Sequence, residues 1–161
     1  MKVRRVRADE VEPMRDLRLR ALRDAPLAFG STYARELAYE PELWEQRTRE
    51  NAAGERSVAF VLEPWTGMAV GAIHEDEPEV AHLYAMWVAP EARRAGAGHA
   101  LVDAVIAWAT ERGAQRLMTS VEASNAAAGS LYHRAGFADT GRREPLGHSA
   151  ATVIILERAL P

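Results

Sequence analysis

A strand that turns on two glycines into a helix with a wide apolar face constrains this chain more than any other stretch. Val80–Val88 alternates as a strand, and His99–Arg112 carries Leu101, Val102, Val105, Ile106, Trp108 and Ala109 before closing on Gly113. They are joined by Val88-Ala89-Pro90-Glu91-Ala92-Arg93-Arg94-Ala95-Gly96-Ala97-Gly98. A helix N-terminus offers unpaired N–H groups and the positive end of the helix dipole. Gly96 and Gly98 remove side chains where an anion must approach that backbone, and Arg93 and Arg94 add positive charge. The segment is therefore built as a phosphate cradle, although a glycine turn with no ligand has the same composition.

Two familiar phosphate loops do not fit. A nucleotide P-loop ends in Gly-Lys-Ser/Thr, where this chain has His99-Ala100 after Gly98. A dinucleotide fingerprint needs a third glycine where Leu101 stands, and it follows its strand without a spacer such as Pro90–Ala92.

The rest of the chain reads as one α/β domain of α+β type over residues 1–161. Val3–Arg7 alternates as a strand whose basic residues form a wet face. Asp9 and Glu12 have capping-box spacing, and the helix they open carries Val11, Met14, Leu17, Ala21 and Leu22 on one stripe before stopping near Asp24, ahead of Pro26. Ala28–Thr32 reads as a loop, followed by short helices over Tyr33–Tyr39 and Glu42–Glu50. Ser57–Glu63, Met68–His74 and Val80–Val88 form an antiparallel meander. Strands at Arg116–Val121, Phe137–Arg142 and Thr152–Glu157 follow, with a helix at Ala126–Ala135, so the sheet is mostly antiparallel.

Composition narrows the partners. The formal charge of -3 advertises neither nucleic acid nor a membrane surface. There is no cysteine, which removes disulfides and thiolate chemistry, and the five histidines show no metal-ligand spacing. No run approaches the roughly 18 apolar residues of a membrane span, and the charged N-terminus has no signal-peptide core. A cytoplasmic setting is expected.

Arg93-x-x-Gly96-x-Gly98, entered through Met86-Trp87-Val88-Ala89-Pro90-Glu91, resembles the pyrophosphate motif of the GNAT (GCN5-related N-acetyltransferase) superfamily. Downstream, Asn125-Ala126-Ala127-Ala128-Gly129-Ser130-Leu131-Tyr132-His133-Arg134-Ala135-Gly136-Phe137 matches its second signature, Asn-x-x-Ala-x-x-Leu-Tyr-x-x-x-Gly-Phe. The resemblance covers roughly 81–143, with both signatures in order.

It implies a sheet splayed between the strands at 80–88 and 116–121, and acetyl-CoA as co-substrate. The pantetheine arm would lie along Met86, Trp87 and Val88. The pyrophosphate would meet Arg93, Arg94, Ala95, Gly96, Ala97, Gly98 and His99. Asn125 would touch the coenzyme arm while also being a natural helix N-cap. Tyr132 takes the family's position for returning a proton to the departing thiolate. The glutamates that serve as base in histone-acetylating and ribosomal-protein-modifying relatives fall at His82 and Ser120, so both are absent. His82 is then a candidate base, with Tyr84, Glu122 or water as alternatives and a structural role equally open.

By analogy, the acceptor site draws on the Ala28–Tyr33 loop and the Glu144–Ser149 turn. Phe29 and Tyr33 would line it, and Glu36 would match an ammonium group. The implied activity is N-acetylation of a primary amine on a small molecule or peptide, by direct attack on the thioester. A non-catalytic acyl-CoA-binding module is the alternative on the same fold. The resemblance also allows a homodimer.

Overall fold

The computed structural model describes residues 1–161. One seven-stranded sheet runs through the chain: β1 (Lys2–Arg5), β2 (Ser57–Glu63), β3 (Gly67–Ile73), β4 (Val80–Val88), β5 (Arg116–Glu122), β6 (Ala138–Pro145) and β7 (Thr152–Ala159). Their spatial order is β1-β2-β3-β4-β5-β7-β6, and every neighbouring pair is antiparallel except β4–β5. The parallel pair needs a crossover, which α4 (Ala97–Glu111) supplies.

Alternation along the strands divides the core between two faces. Val58 and Leu62 of β2 join Ala81 and Leu83 of β4 beneath Leu101, Val102, Val105 and Trp108 of α4. Ala59 and Val61, one residue out of phase, meet Met14, Leu17 and Leu22 of α1 (Val11–Asp24) and Trp44 of α3 (Pro41–Ala53) on the opposite face. Trp108 presses on Gly71, where an added Cβ would lie 2.9 Å from the indole ring, and its Nε1 donates to the Gly54 carbonyl at 2.8 Å. Two shorter helices, α2 (Tyr33–Leu37) and α5 (Ala126–Arg134), flank the open part of the sheet.

Several local expectations are corrected. The Asp9–Glu12 capping box does not form. Glu10 is the N-cap residue of α1, and its carboxylate accepts from the Arg7 N–H at 2.7 Å and from Arg4 at 2.8 Å. Those contacts draw the chain around Glu10 and leave Asp9 in solvent. The helix expected to reach Tyr39 stops at Leu37, and α3 runs longer than Glu42–Glu50, to a left-handed Gly54. β6 extends to Pro145 through an irregularity between Asp139 and Arg143, where the Asp139 carboxylate accepts from the Gly141 N–H and the Arg143 guanidinium.

Candidate active site

β4 and β5 pair only at Val80↔Arg116, Ala81↔Leu117 and His82↔Met118, then part. On its other edge β4 pairs Met68↔Trp87 and Val70↔Tyr84, so it carries one residue more than β3 there. That bulge is centred on Ala85, whose φ of 54° is left-handed. For a residue with a Cβ this conformation costs roughly 1–2 kcal/mol, so the surrounding sheet must hold it. Thr119 Oγ1 donates to the Leu83 carbonyl at 3.0 Å across the mouth of the split. Beyond that bridge the β4 edge from Tyr84 to Val88 has no strand beside it on the β5 side. Such an edge accepts an extended ligand as a further strand would be accepted.

The strand leads into a 3₁₀ turn at Pro90–Ala92 and then the glycine turn. Arg94 (φ 70°) and Gly96 (φ 78°) are both left-handed, and Gly96 caps α4. Left-handed residues alternating with others turn backbone N–H groups toward one point, alongside the unpaired N–H groups of Ala97, Gly98 and His99. An added Cβ on Gly96 would find only Met1 Cε, at 4.0 Å, so the cradle is open. Gly98 is small for another reason: a Cβ would lie 3.0 Å from Leu131 Cδ2 and 3.3 Å from Met86 Cε. It lets α4 sit against α5 and β4.

Arg93 does not face the cradle. Its Nη2 binds Asp24 Oδ2 at 2.7 Å and its Nε donates to the Val88 carbonyl at 2.9 Å. The Trp87 indole donates to the same carboxylate at 2.9 Å, and these partners, Trp87 foremost, hold Asp24 below the usual carboxylate range. With Arg20–Glu91 at 2.8 Å, Arg93 fixes the turn to the end of α1. Arg94 forms no ion pair and stays exposed, so the charge expected at the cradle rests on one arginine. Exposed His99 is 3.8 Å from Asp103 along its own helix.

α5 carries Tyr132 up to the split. The ring is 5% exposed and meets Phe137 edge-on at 5.5 Å. Burial pushes the phenol up to about 12, only partly offset by the Thr119 hydroxyl beside it. It is therefore a neutral proton donor at pH 7. Asn125 is the N-cap of α5, its Oδ1 accepting from the Ala128 N–H at 3.1 Å, which leaves its amide NH₂ uncommitted. Glu122 is tied up locally by the N–H and hydroxyl of Ser124.

Tyr132, Thr119 and Leu83 form the inner end of a 340 Å³ cavity whose outer end is lined by Phe29, Glu36 and Tyr39. Phe29 is buried under the Arg18 guanidinium, 4.7 Å above its ring, and its carbonyl accepts from His148 Nε2 at 2.7 Å. That contact ties the β6–β7 turn to the α1–α2 loop. Glu36 is not free to meet an ammonium group: Arg18 Nε and Nη2 each donate to one of its oxygens at 2.9 Å. Burial pushes this carboxyl up, but the Arg18 bonds and charge outweigh it, and it titrates below the ordinary value. Tyr33 lies elsewhere, against Arg23 on the far flank of α1. Tyr39 lines the cavity in its stead.

His82 lines a neighbouring groove of 460 Å³ that shares Tyr84, Thr119 and Ser120 with the cavity. Its ring stacks on Tyr84 at 5.7 Å and lies 5.0 Å from His74, whose Nε2 is 3.3 Å from the Tyr84 hydroxyl. Burial, then the nearby His74 charge, lowers its pKa from 6.5, so the neutral imidazole prevails at pH 7. Thr119, Tyr39, Arg18 and Arg47 went unassigned by sequence. Only Thr119 carried a signal there, as a polar residue in phase with apolar Leu117 and Val121.

The model of the acetyltransferase (GNAT) family matches residues 15–137. The chain is 37% identical over 94 residues to the ribosomal protein bS18-alanine N-acetyltransferase of Escherichia coli (strain K12), a stretch covering 58% of this chain and 64% of that protein, under two thirds of its length. It is 41% identical over 69 residues to the mycothiol acetyltransferase of Salinispora arenicola, covering 41% of this chain and 22% of that one. Its fold superposes on a putative acetyltransferase from Salmonella typhimurium solved with its cofactor acetyl-CoA, at TM-score 0.82 and 17% identity over 100% of this chain and 94% of that one. The matched residues take in the split strands, the glycine turn and Tyr132, and this chain belongs to the acetyltransferase (GNAT) family.

Proposed function

We propose that the protein is an acetyl-CoA-dependent N-acetyltransferase acting on a primary amine of a small molecule or peptide. The observation that carries this is a coincidence in one place: a strand edge without a neighbour, an open glycine cradle at one end of it, and a buried neutral phenol at the other. These residues fit acetyl-CoA, which supplies a thioester. The edge at Met86–Val88 suits the amide-rich arm, and the cradle with Arg94 suits the pyrophosphate. The free amide of Asn125 serves the arm as well.

The chain's own contributions follow from what each group can give. N–H groups of β4 past the bulge stabilise charge on the carbonyl oxygen. Tyr132 donates a proton to sulfur as the C–S bond breaks and the N–C bond forms. The surplus amine proton leaves through His82 or water in the adjoining groove. The products are the N-acetylamine and the free thiol. An alkylamine of pKa about 10 is only about one part in a thousand neutral at pH 7, so removal of that proton matters to the rate. The reading includes a cytoplasmic setting and no nucleic-acid partner; no helix is long and apolar enough to cross a membrane.

Thiol release from acetyl-CoA across a broad amine panel tests this. Amine-dependent release with a matching acetylated product is expected. Tight coenzyme binding with no release from any amine would instead mark a binding module.

A further inference from the structure

We propose that the acceptor is a small amine that also bears a carboxylate, such as an amino acid, and that Arg47, stacked on Tyr39 beside the Arg18–Glu36 pair, holds that carboxylate at the outer end of the cleft. This rests on the acetyltransferase reading and concerns its acceptor site.

Charge is the first argument. The cavity is lined by Arg18, Arg35 and Arg47 against a single carboxylate, Glu36, whose two oxygens are both taken by Arg18. Arg35 and Arg47 form no ion pair. An adjoining 280 Å³ cavity shares Arg18, Glu36 and Arg47, and its one further carboxylate, Glu50, accepts from Gln46 at 3.1 Å. Over the two cavities three arginines thus face two carboxylates, and in the one that holds Tyr132 three arginines face Glu36 alone.

The second argument is an unspent fork. Arg18 turns Nε and Nη2 to Glu36 and its Nη1 is buried out of reach of a ligand, so the free donors at the cleft belong to Arg47. Arg18 is also held rigidly, its plane over Phe29 and two of its nitrogens pinned by Glu36. Arg47 sits 4.9 Å over the Tyr39 ring, with its fork unpaired. A guanidinium with a fixed plane matches a carboxylate better than it matches any neutral group.

The third argument links this charge to the chemistry. Cationic neighbours disfavour protonation of an incoming amine and so enlarge its neutral, nucleophilic fraction. The two cavities together suit a small molecule rather than a long chain.

The test compares the common α-amino acids, each against its own primary amide and against a tripeptide amide beginning with the same residue. Thiol release from acetyl-CoA is read at equal concentrations of neutral amine. For the best acceptor, kcat/KM for the acid should exceed that for the amide by about 10- to 100-fold, the range of a charge-assisted contact. In Arg47→Gln the ratio should collapse toward one. Arg47 is exposed, so this variant should keep its thermal midpoint. Amides or peptide amides that match the acids, or an unchanged ratio in R47Q, would overturn the carboxylate site while leaving the acetyltransferase reading intact. Silence from all of these, with release from some other amine of the broad panel, would overturn the carboxylate site alone, and silence from the whole panel would overturn both.

Discussion

The two halves of the candidate site are made of different material. The coenzyme half, from β4 through α5, is shaped by backbone: a strand pairing that ends at His82, a left-handed residue at Ala85, and two more at Arg94 and Gly96. The acceptor half is shaped by side chains from distant segments: Arg18 on Glu36, Arg47 on Tyr39, and His148 on the Phe29 carbonyl. Backbone geometry holds a ligand by features that every coenzyme A shares. Side chains discriminate, and a single substitution changes what they select. A family with one coenzyme and many acceptors would divide its site in this way.

The largest expected effect sets chemistry apart from either kind of scaffold. Tyr132→Phe should lower kcat by about 10²- to 10⁴-fold, the usual worth of a positioned proton donor, with KM for acetyl-CoA nearly unchanged. A variant that kept full turnover would remove Tyr132 from the reaction. Next comes the acceptor half, where a side-chain pair replaces backbone as the support. Glu36→Gln leaves the Arg18 charge buried and unpaired, which should cost about 3 kcal/mol and lower the thermal midpoint by about 6–12 °C. Glu36 titrates below its ordinary value of 4.5, so the stability it contributes is present above that pH and is lost as pH falls through the folded value. In E36Q that acid-side loss should be smaller. Thermal melts from pH 7 to pH 3 read both effects.

Backbone-made geometry was legible only in part. Gly96 shows its left-handed position in residue type, because glycine reaches a positive φ freely, whereas Ala85 and Arg94 take the same conformation with no such mark. The core strands were plain, since Val58, Leu62 and Ala81 show their phase directly. Side-chain partnerships leave no such local mark. Arg93 looked like a phosphate ligand, but its partner Asp24 lies far back in sequence at the end of α1. Glu36 looked like a free carboxylate for the same reason, its partner Arg18 being on another helix. Tyr33 looked like the acceptor-site aromatic, but it packs against Arg23 and Tyr39 lines the cavity, a difference that local sequence does not mark.

The contrast is sharpened by moving to the cradle itself. Gly96→Val places a β-branched residue at φ 78°, a strain of about 1–3 kcal/mol, and puts a side chain over the N–H groups. KM for acetyl-CoA should rise about 10- to 100-fold, with acceptor preference unaltered. Gly98→Ala should act through packing instead, pushing on Leu131 and Met86, and show itself in the thermal midpoint more than in KM. A cradle that tolerated valine at 96 would mean that side chains, and not backbone, hold the coenzyme.

The smallest effect belongs to His82, where the two halves meet. A neutral imidazole is required of a base, so kcat/KM should fall on the acid side as His82 protonates, at a pH below its ordinary 6.5 because burial and His74 disfavour the charged ring. A separate rise on the alkaline side belongs to the amine. His82→Ala should lower kcat/KM by about tenfold near pH 7, where part of the proton traffic passes to water, and should erase the acid limb alone. The stability curve gives an independent check. A histidine with a lowered folded pKa binds protons better unfolded, so wild-type stability declines as pH falls below 6.5 and H82A should decline less. An acid limb that persists in H82A, together with a flattened stability curve, would make His82 a packed strand residue and would leave the amine's proton to water in the groove beside it.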